Sequence, residues 1–205
     1  MFLLYPVLAG LAAGLLSGGR LSTLARIPLR WTNLIVAGMA LQLILFSTPI
    51  GSWFARLGPM AGPGLYVASM AMVLAAVLRN IRIPGLALIA VGAASNLLAI
   101  VANGGYMPAS AAALGEHLPS GVTNSVLSGA PALPLLTDIF ALPRWLPAGN
   151  VFSVGDICIG LGVALAIVIQ MRLYRGVNAP VLLISTWPKG LGPGGPGGPA
   201  AGSGA

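Results

Sequence analysis

A helix needs about 20 apolar residues to cross a hydrocarbon core about 30 Å thick, and this chain offers such a block five times. The blocks run from Phe2 to Ser17, Trp31 to Pro49, Gly62 to Leu78, Ile83 to Ala102 and Val151 to Met171. Only 6% of the 205 residues are charged and 57% are hydrophobic, whereas a soluble domain carries about 25% charged residues. The expected fold is therefore all-α: an integral membrane helical bundle of five transmembrane helices. The first block lacks a basic leading region and a distinct small-residue cleavage site, so it reads as a permanent helix rather than a removed signal.

The basic residues set the expected orientation, because Lys and Arg in short loops stay on the cytoplasmic side. Arg20, Arg26, Arg30, Arg79, Arg82, Arg172, Arg175 and Lys189 fall on one side of the five blocks, and only Arg56 and Arg144 on the other. That places the N-terminus outside and the C-terminus inside. The net charge of +7 is then a membrane signature with contact to anionic headgroups, and it argues for no nucleic-acid partner. Cys158, the single cysteine, reads as a packing thiol within the last span.

Two domains follow. Residues 1–175 form the transmembrane part, with residues 103–150 as an external cap loop far longer than an ordinary helix connection. Within it, segments near Ala109 to Leu118 and Leu133 to Ala141 suit short helices, the first capped by Ser110. Residues 176–205 form a Gly/Pro-rich cytoplasmic tail whose composition builds no core.

An internal echo links the second and fourth blocks. Arg26-Ile27-Pro28 and Arg82-Ile83-Pro84 precede them, and Gly38, Ala40, Gln42 and Leu43 recur as Gly92, Ala94, Asn96 and Leu97. It suggests two equivalent hairpins, made of the first two and the next two helices, with the fifth helix unpaired. Gln42 and Asn96 would then face each other or line a small polar cavity. The plainer reading is ordinary interhelical hydrogen bonding.

All three acids and the one histidine lie between positions 116 and 156. Ser153-Val154-Gly155-Asp156 fits a capping box, in which serine and carboxylate reciprocally satisfy two backbone amides. As an acid near a membrane edge, Asp156 is also a suspect for gating a proton, ion or substrate. Asp138 suits a helix cap, a surface pair with Arg144, or a pocket. Glu116 and His117 are adjacent and do not face one another on a helix. One His, one thiol and scattered acids give no zinc spacing, and no serine-hydrolase elbow accompanies His117. No metal site, catalytic group or cofactor is read from the sequence, although a tetrapyrrole would offer His117 a role in a pigment or haem complex.

The run Val101-Ala102-Asn103-Gly104-Gly105-Tyr106-Met107-Pro108 ends the fourth block. Asn103, Gly104 and Gly105 are suited to left-handed caps, Tyr106 to the interface and Pro108 to stopping the helix. Together with the Asn150 to Ile157 stretch it would form the rims on which the cap sits. The candidate ligand or cap-seating site thus comprises Gln42, Asn96, Asn103, Gly104, Gly105, Met107, Pro108, Asp138, Ser153 and Asp156.

GGRLS (Gly18 to Ser22), Leu41-Gln42, Asn96, the NGG-x-MP run, Asp138 in LTDI and NVFSVGDI (Asn150 to Ile157) together resemble a family of small bacterial membrane proteins of unknown function. The resemblance covers about residues 1 to 175 and implies a bacterial cytoplasmic membrane location, but it brings no activity. The expected role is a non-enzymatic accessory or scaffold subunit of a larger respiratory or photosynthetic membrane complex, with the bilayer and other membrane subunits as partners. The alternative is a small transporter or lipid-handling protein with a polar site of Gln42, Asn96, Asn103 and Asp156 beneath the cap. A third reading, an outer-leaflet enzyme, would use Asp138 and Asp156.

Overall fold

A computed structural model describes residues 2–46, 53–54, 56–110, 112–113, 125–127, 129–143, 145–146 and 151–173. These residues are mostly helical. The five long helices are α1 (Leu4–Leu16), α2 (Thr32–Phe46), α3 (Ala61–Arg79), α4 (Leu86–Ala102) and α5 (Val154–Leu173), so each apolar block contains one. Two of them, α3 with 19 residues and α5 with 20, are long and apolar enough to cross a membrane; α1, α2 and α4 are shorter apolar helices. Four short strands, β1 (Met107–Ala109), β2 (Ser125–Leu127), β3 (Phe140–Ala141) and β4 (Val151–Phe152), lie between α4 and α5. The tail from residue 176, Glu116, His117, Arg144 and Arg175 lie outside the described residues.

The packing order departs from the order in the chain. Neighbouring helices pack as α1, α5, α4, α3, α2, with α5 making the most extensive contacts, while α1 and α2 share none of any extent. The expectation that α5 is unpaired is thus corrected: it is inserted between α1 and α4. The reason lies in where the small residues fall. A Cβ on Gly92 would collide with the Gly155 carbonyl and one on Gly85 with the Gly162 carbonyl. With one heptad between the glycines on both helices, the antiparallel pair approaches backbone to backbone, the geometry that small residues permit. On the other face of α5, Gly10 of α1 meets Ala164 and Gly160 meets Pro6, so α1 runs parallel to α5.

The two echoed glycines each meet the helix that follows their own in the chain. Gly38 abuts Ser69 and Val73 on α3, as Gly92 abuts Gly155 and Ile159 on α5. The echoed glycines therefore pack within the pairs α2–α3 and α4–α5, not within pairs made of the first two and the next two helices. The amides one turn after these glycines do not face each other. Gln42 Nε2 donates to Met70 Sδ at 3.4 Å on α3, whereas Asn96 turns to α5.

The apolar core follows this row. Leu45, Tyr66, Ala99, Ile100 and Met107 cluster where α2, α3 and α4 meet the first strand. Val77, Leu86 and Ala90 pack the other end of α3 and α4. A third cluster, Ala109, Ala113 and Val151, lies within the connection between α4 and α5.

Candidate functional site

The Asn103 run is a helix stop with a second task. Gly105 N donates to the Ile100 carbonyl at 2.8 Å and Gly104 N to the Val101 carbonyl at 3.3 Å, the crossed pair of bonds that closes a helix with a left-handed residue. Gly104 and Gly105 have φ of 73° and 89°. Asn103 itself, expected to share the left-handed conformation, has φ −110°. Its side chain does the work instead. Nδ2 donates to the Ala99 carbonyl at 2.7 Å and to the Ala132 carbonyl at 2.9 Å, while Ala132 N donates to Oδ1 at 2.8 Å. One amide thus caps α4 and clasps the returning cap segment as a neighbouring strand would. Gly105 is also pressed on Pro63, where a Cβ would collide.

Beyond the stop, Met107 and Pro108 are buried in β1, which pairs in parallel with β2. On its other edge Asp138 N donates to the Pro108 carbonyl at 2.9 Å and Ser110 N to the Asp138 carbonyl at 3.0 Å. Two residues later β3 pairs antiparallel with β4, Phe140 opposite Phe152. The Asp138 to Ala141 segment therefore bridges the two rims, and the cap is seated on both. Ser110 Oγ accepts from Ala113 N at 3.1 Å, the expected cap. The second expected cap helix is only a 3-10 turn, Pro134–Leu136, because the chain then extends to make these bridges. Asp138 is 4% exposed, so it is buried in the cap rather than on its surface; its expected partner Arg144 lies outside the described residues.

At the start of α5 the capping box is present. Ser153 N donates to Asp156 Oδ2 at 3.0 Å and Asp156 N to Ser153 Oγ at 3.1 Å. Asn96 of α4 closes the group: its Nδ2 donates to Asp156 Oδ1 at 2.8 Å and its Oδ1 accepts from Ser153 Oγ at 2.8 Å. Ser153 is fully buried and Asn96 nearly so, while Asp156 is half-buried. A Cβ on Gly155 would collide with Asn96 Oδ1, so the glycine admits the amide between the helices. Asp156 thus accepts from the Ser153 backbone amide and the Asn96 side-chain amide at the start of α5. An interhelical hydrogen bond adds roughly 0.6 to 2 kcal/mol.

The structure therefore brings Asn96, Ser153 and Asp156 together and sets Asn103, the glycines, Met107, Pro108 and Asp138 along the cap's inner seam. It does not bring in Gln42, which sits on α2, a helix without extensive contact to α4 or α5. Among the described residues, no three His, Cys, Asp or Glu side chains gather as metal ligands would.

Sequence reasoning missed two features. Asn80, at the C-terminus of α3, repeats the Asn103 geometry: Nδ2 donates to the Ala76 carbonyl at 2.8 Å and the Arg30 carbonyl at 2.7 Å, and Arg30 N donates to Oδ1 at 2.8 Å. The signal was an asparagine in the last turn of an apolar helix. Phe2, Phe152 and Phe140 form a stacked file with centroids 4.3 and 5.4 Å apart, tying the residues before α1 to β3 and β4. Nothing local in the sequence pairs them.

A family model described as "Family of unknown function (DUF5317)" matches residues 26–168. The match includes the Asn103 and Ser153 runs and leaves out α1 with its GGRLS stretch, a shorter extent than the resemblance implied. No curated protein and no solved structure matches the chain.

Proposed function

We propose, from the premise that this chain belongs to the DUF5317 family of unknown function, that it is a multi-pass membrane protein acting as a non-enzymatic accessory or scaffold subunit of a larger membrane complex. The observation that carries this reading is the surface left over by folding. In α3 and α5 only 22% and 28% of the apolar window is buried inside the protein, unlike a core helix of a soluble domain. On α4, Leu88, Val91, Leu98 and Val101 all point outward. Contiguous apolar surface of this kind is rarely left to water, and lipid or the helices of other subunits are its natural cover.

Five spans with the N-terminus outside and the C-terminus cytoplasmic suit the alternating helix directions and the arginines at one end. The 13 residues of α1 reach only about 20 Å at 1.5 Å each, so a short helix of this kind requires local thinning of the bilayer or cover from neighbours. A structural role also accounts for the polar side chains: Asn96, Ser153 and Asp156 bond one another, and Asn80 and Asn103 bond backbone. Solubilisation in mild detergent followed by native separation tests the proposal. Co-migration with other membrane proteins at fixed stoichiometry is the expected result, and a protein that always runs as a lone monomer would overturn it.

One observation favours a transporter or lipid-handling role under the cap as the second reading. Among the described residues, Ser95 Oγ is buried without a hydrogen-bond partner, next in sequence to Asn96, which bonds the half-buried Asp156. That reading expects solute or lipid flux in vesicles that Asn96→Ala abolishes; no flux from correctly inserted wild-type protein would remove it.

A further inference from the structure

The end of the bundle opposite the cap carries Arg20, Arg26, Arg30, Arg79, Arg82 and Arg172, all exposed. Helix direction explains the gathering: α1, α3 and α5 finish there and α2 and α4 begin there, with Arg20 N donating to the Met171 carbonyl at 3.3 Å. Asp138 and Asp156 are at the other end, and Glu116 lies outside the described residues, so among the described residues no carboxylate balances these charges.

Three of the arginines are drawn together by a built feature. The Asn80 clasp fixes the Arg30 backbone beside the end of α3, one residue from Arg79 and two from Arg82. It leaves Trp31 with φ 61°, a conformation rare for a bulky side chain, and its indole lies beneath Arg79 with Cζ 6.0 Å from the ring centroid. Around these charges Leu21, Leu29, Trp31 and Ile81 are exposed. Guanidinium groups interleaved with outward apolar side chains and an amphipathic indole match the chemistry of a phospholipid, phosphate above and acyl chain below. A soluble polyanion would use the charges and leave the apolar groups in water.

We propose that this end is a binding surface for anionic phospholipid headgroups, centred on Arg30, Arg79 and Arg82 and organised by Asn80. The proposal rests on the membrane reading above. The test uses the full chain in mild detergent, with phosphatidylglycerol or phosphatidylcholine added and retained lipid read by native mass spectrometry. Preferential retention of phosphatidylglycerol is expected. An Arg30→Gln, Arg79→Gln, Arg82→Gln triple variant should lose that preference by about five-fold per arginine, whereas Arg56→Gln, an exposed arginine on the α2–α3 connection, should leave it unchanged.

Equal retention of the two lipids by wild type would overturn the headgroup assignment, as would a triple variant that binds like wild type. Displacement of the lipid by millimolar glycerol phosphate would show that the acyl chain contributes nothing and overturn it too. Carbonate washing of membranes keeps the outcomes separate: release of the protein would overturn the membrane reading itself, while retention combined with equal lipid binding would overturn only this inference.

Discussion

Asn80 and Asn103 perform the same operation at opposite ends of the molecule. Each closes a helix through the carbonyl four residues earlier and grips both backbone groups of a distant residue, Arg30 in one case and Ala132 in the other. The residue after each gripped one, Trp31 or Leu133, is a non-glycine with positive φ, and they are the only two such among the described residues. A helical segment starts immediately after each, α2 at Thr32 and the 3-10 turn at Pro134. The difference is burial. Asn80 is 6% exposed, whereas the bonds from Asn103 to Ala132 are exposed. The comparison teaches that one local device serves both as a core fastener and as a seam that water or headgroups can compete for.

The comparison breaks first at Asn80. Replacing it with Ala removes three hydrogen bonds at a buried place, each contributing about 1 kcal/mol net, so Asn80→Ala should cost about 3 kcal/mol. Thermal unfolding in detergent measures it, and a loss no larger than that of Asn103→Ala would show that burial does not separate the clasps.

Gly105→Ala comes next, at about 2 kcal/mol, because the positive φ adds to the collision with Pro63. Gly104→Ala, with nothing near its Cβ, should cost about 1 kcal/mol from the backbone alone. Melting temperatures of the pair separate conformational strain from crowding at the cap seam; equal shifts would remove the Pro63 contact from the account.

Asn103→Ala should cost about 1 kcal/mol, since water can replace the bonds to Ala132. Its more specific signature is faster hydrogen exchange at Ala132 and the following turn, with α4 itself still protected. Smallest is Leu133→Gly. An exposed side chain is lost while the left-handed conformation is relieved, so stability should change by less than about 0.5 kcal/mol. A large loss would mean that Leu133, unlike its counterpart's backbone role, is held by packing.

Legibility in the sequence follows the range of each interaction. Five helices and most of their ends could be read because apolar length, capping serines and terminal glycines act within about four residues. The capping box at Ser153 and Asp156 is local and legible; the amide of Asn96 that joins it comes from 57 residues earlier, and the sequence groups it with Asp156 in one candidate site without pairing the two, expecting it to face Gln42 or line a cavity. Asp138 was flagged from its charge, yet its burial depends on extended chain docking against Pro108, which no periodicity announces.

By itself the sequence determined the helical class, the apolar blocks, the stop at Asn103 and the segregation of arginines from acids, since composition and short-range capping suffice for these. Only the tertiary structure decided that α5 stands between α1 and α4, that Gln42 is apart from Asn96, and that Asn80 and Asn103 are matching clasps. The physical reason is that close backbone approach at Gly92 and Gly155, and a side-chain amide's choice of a distant carbonyl, are settled by which surfaces meet, and no residue carries that information alone.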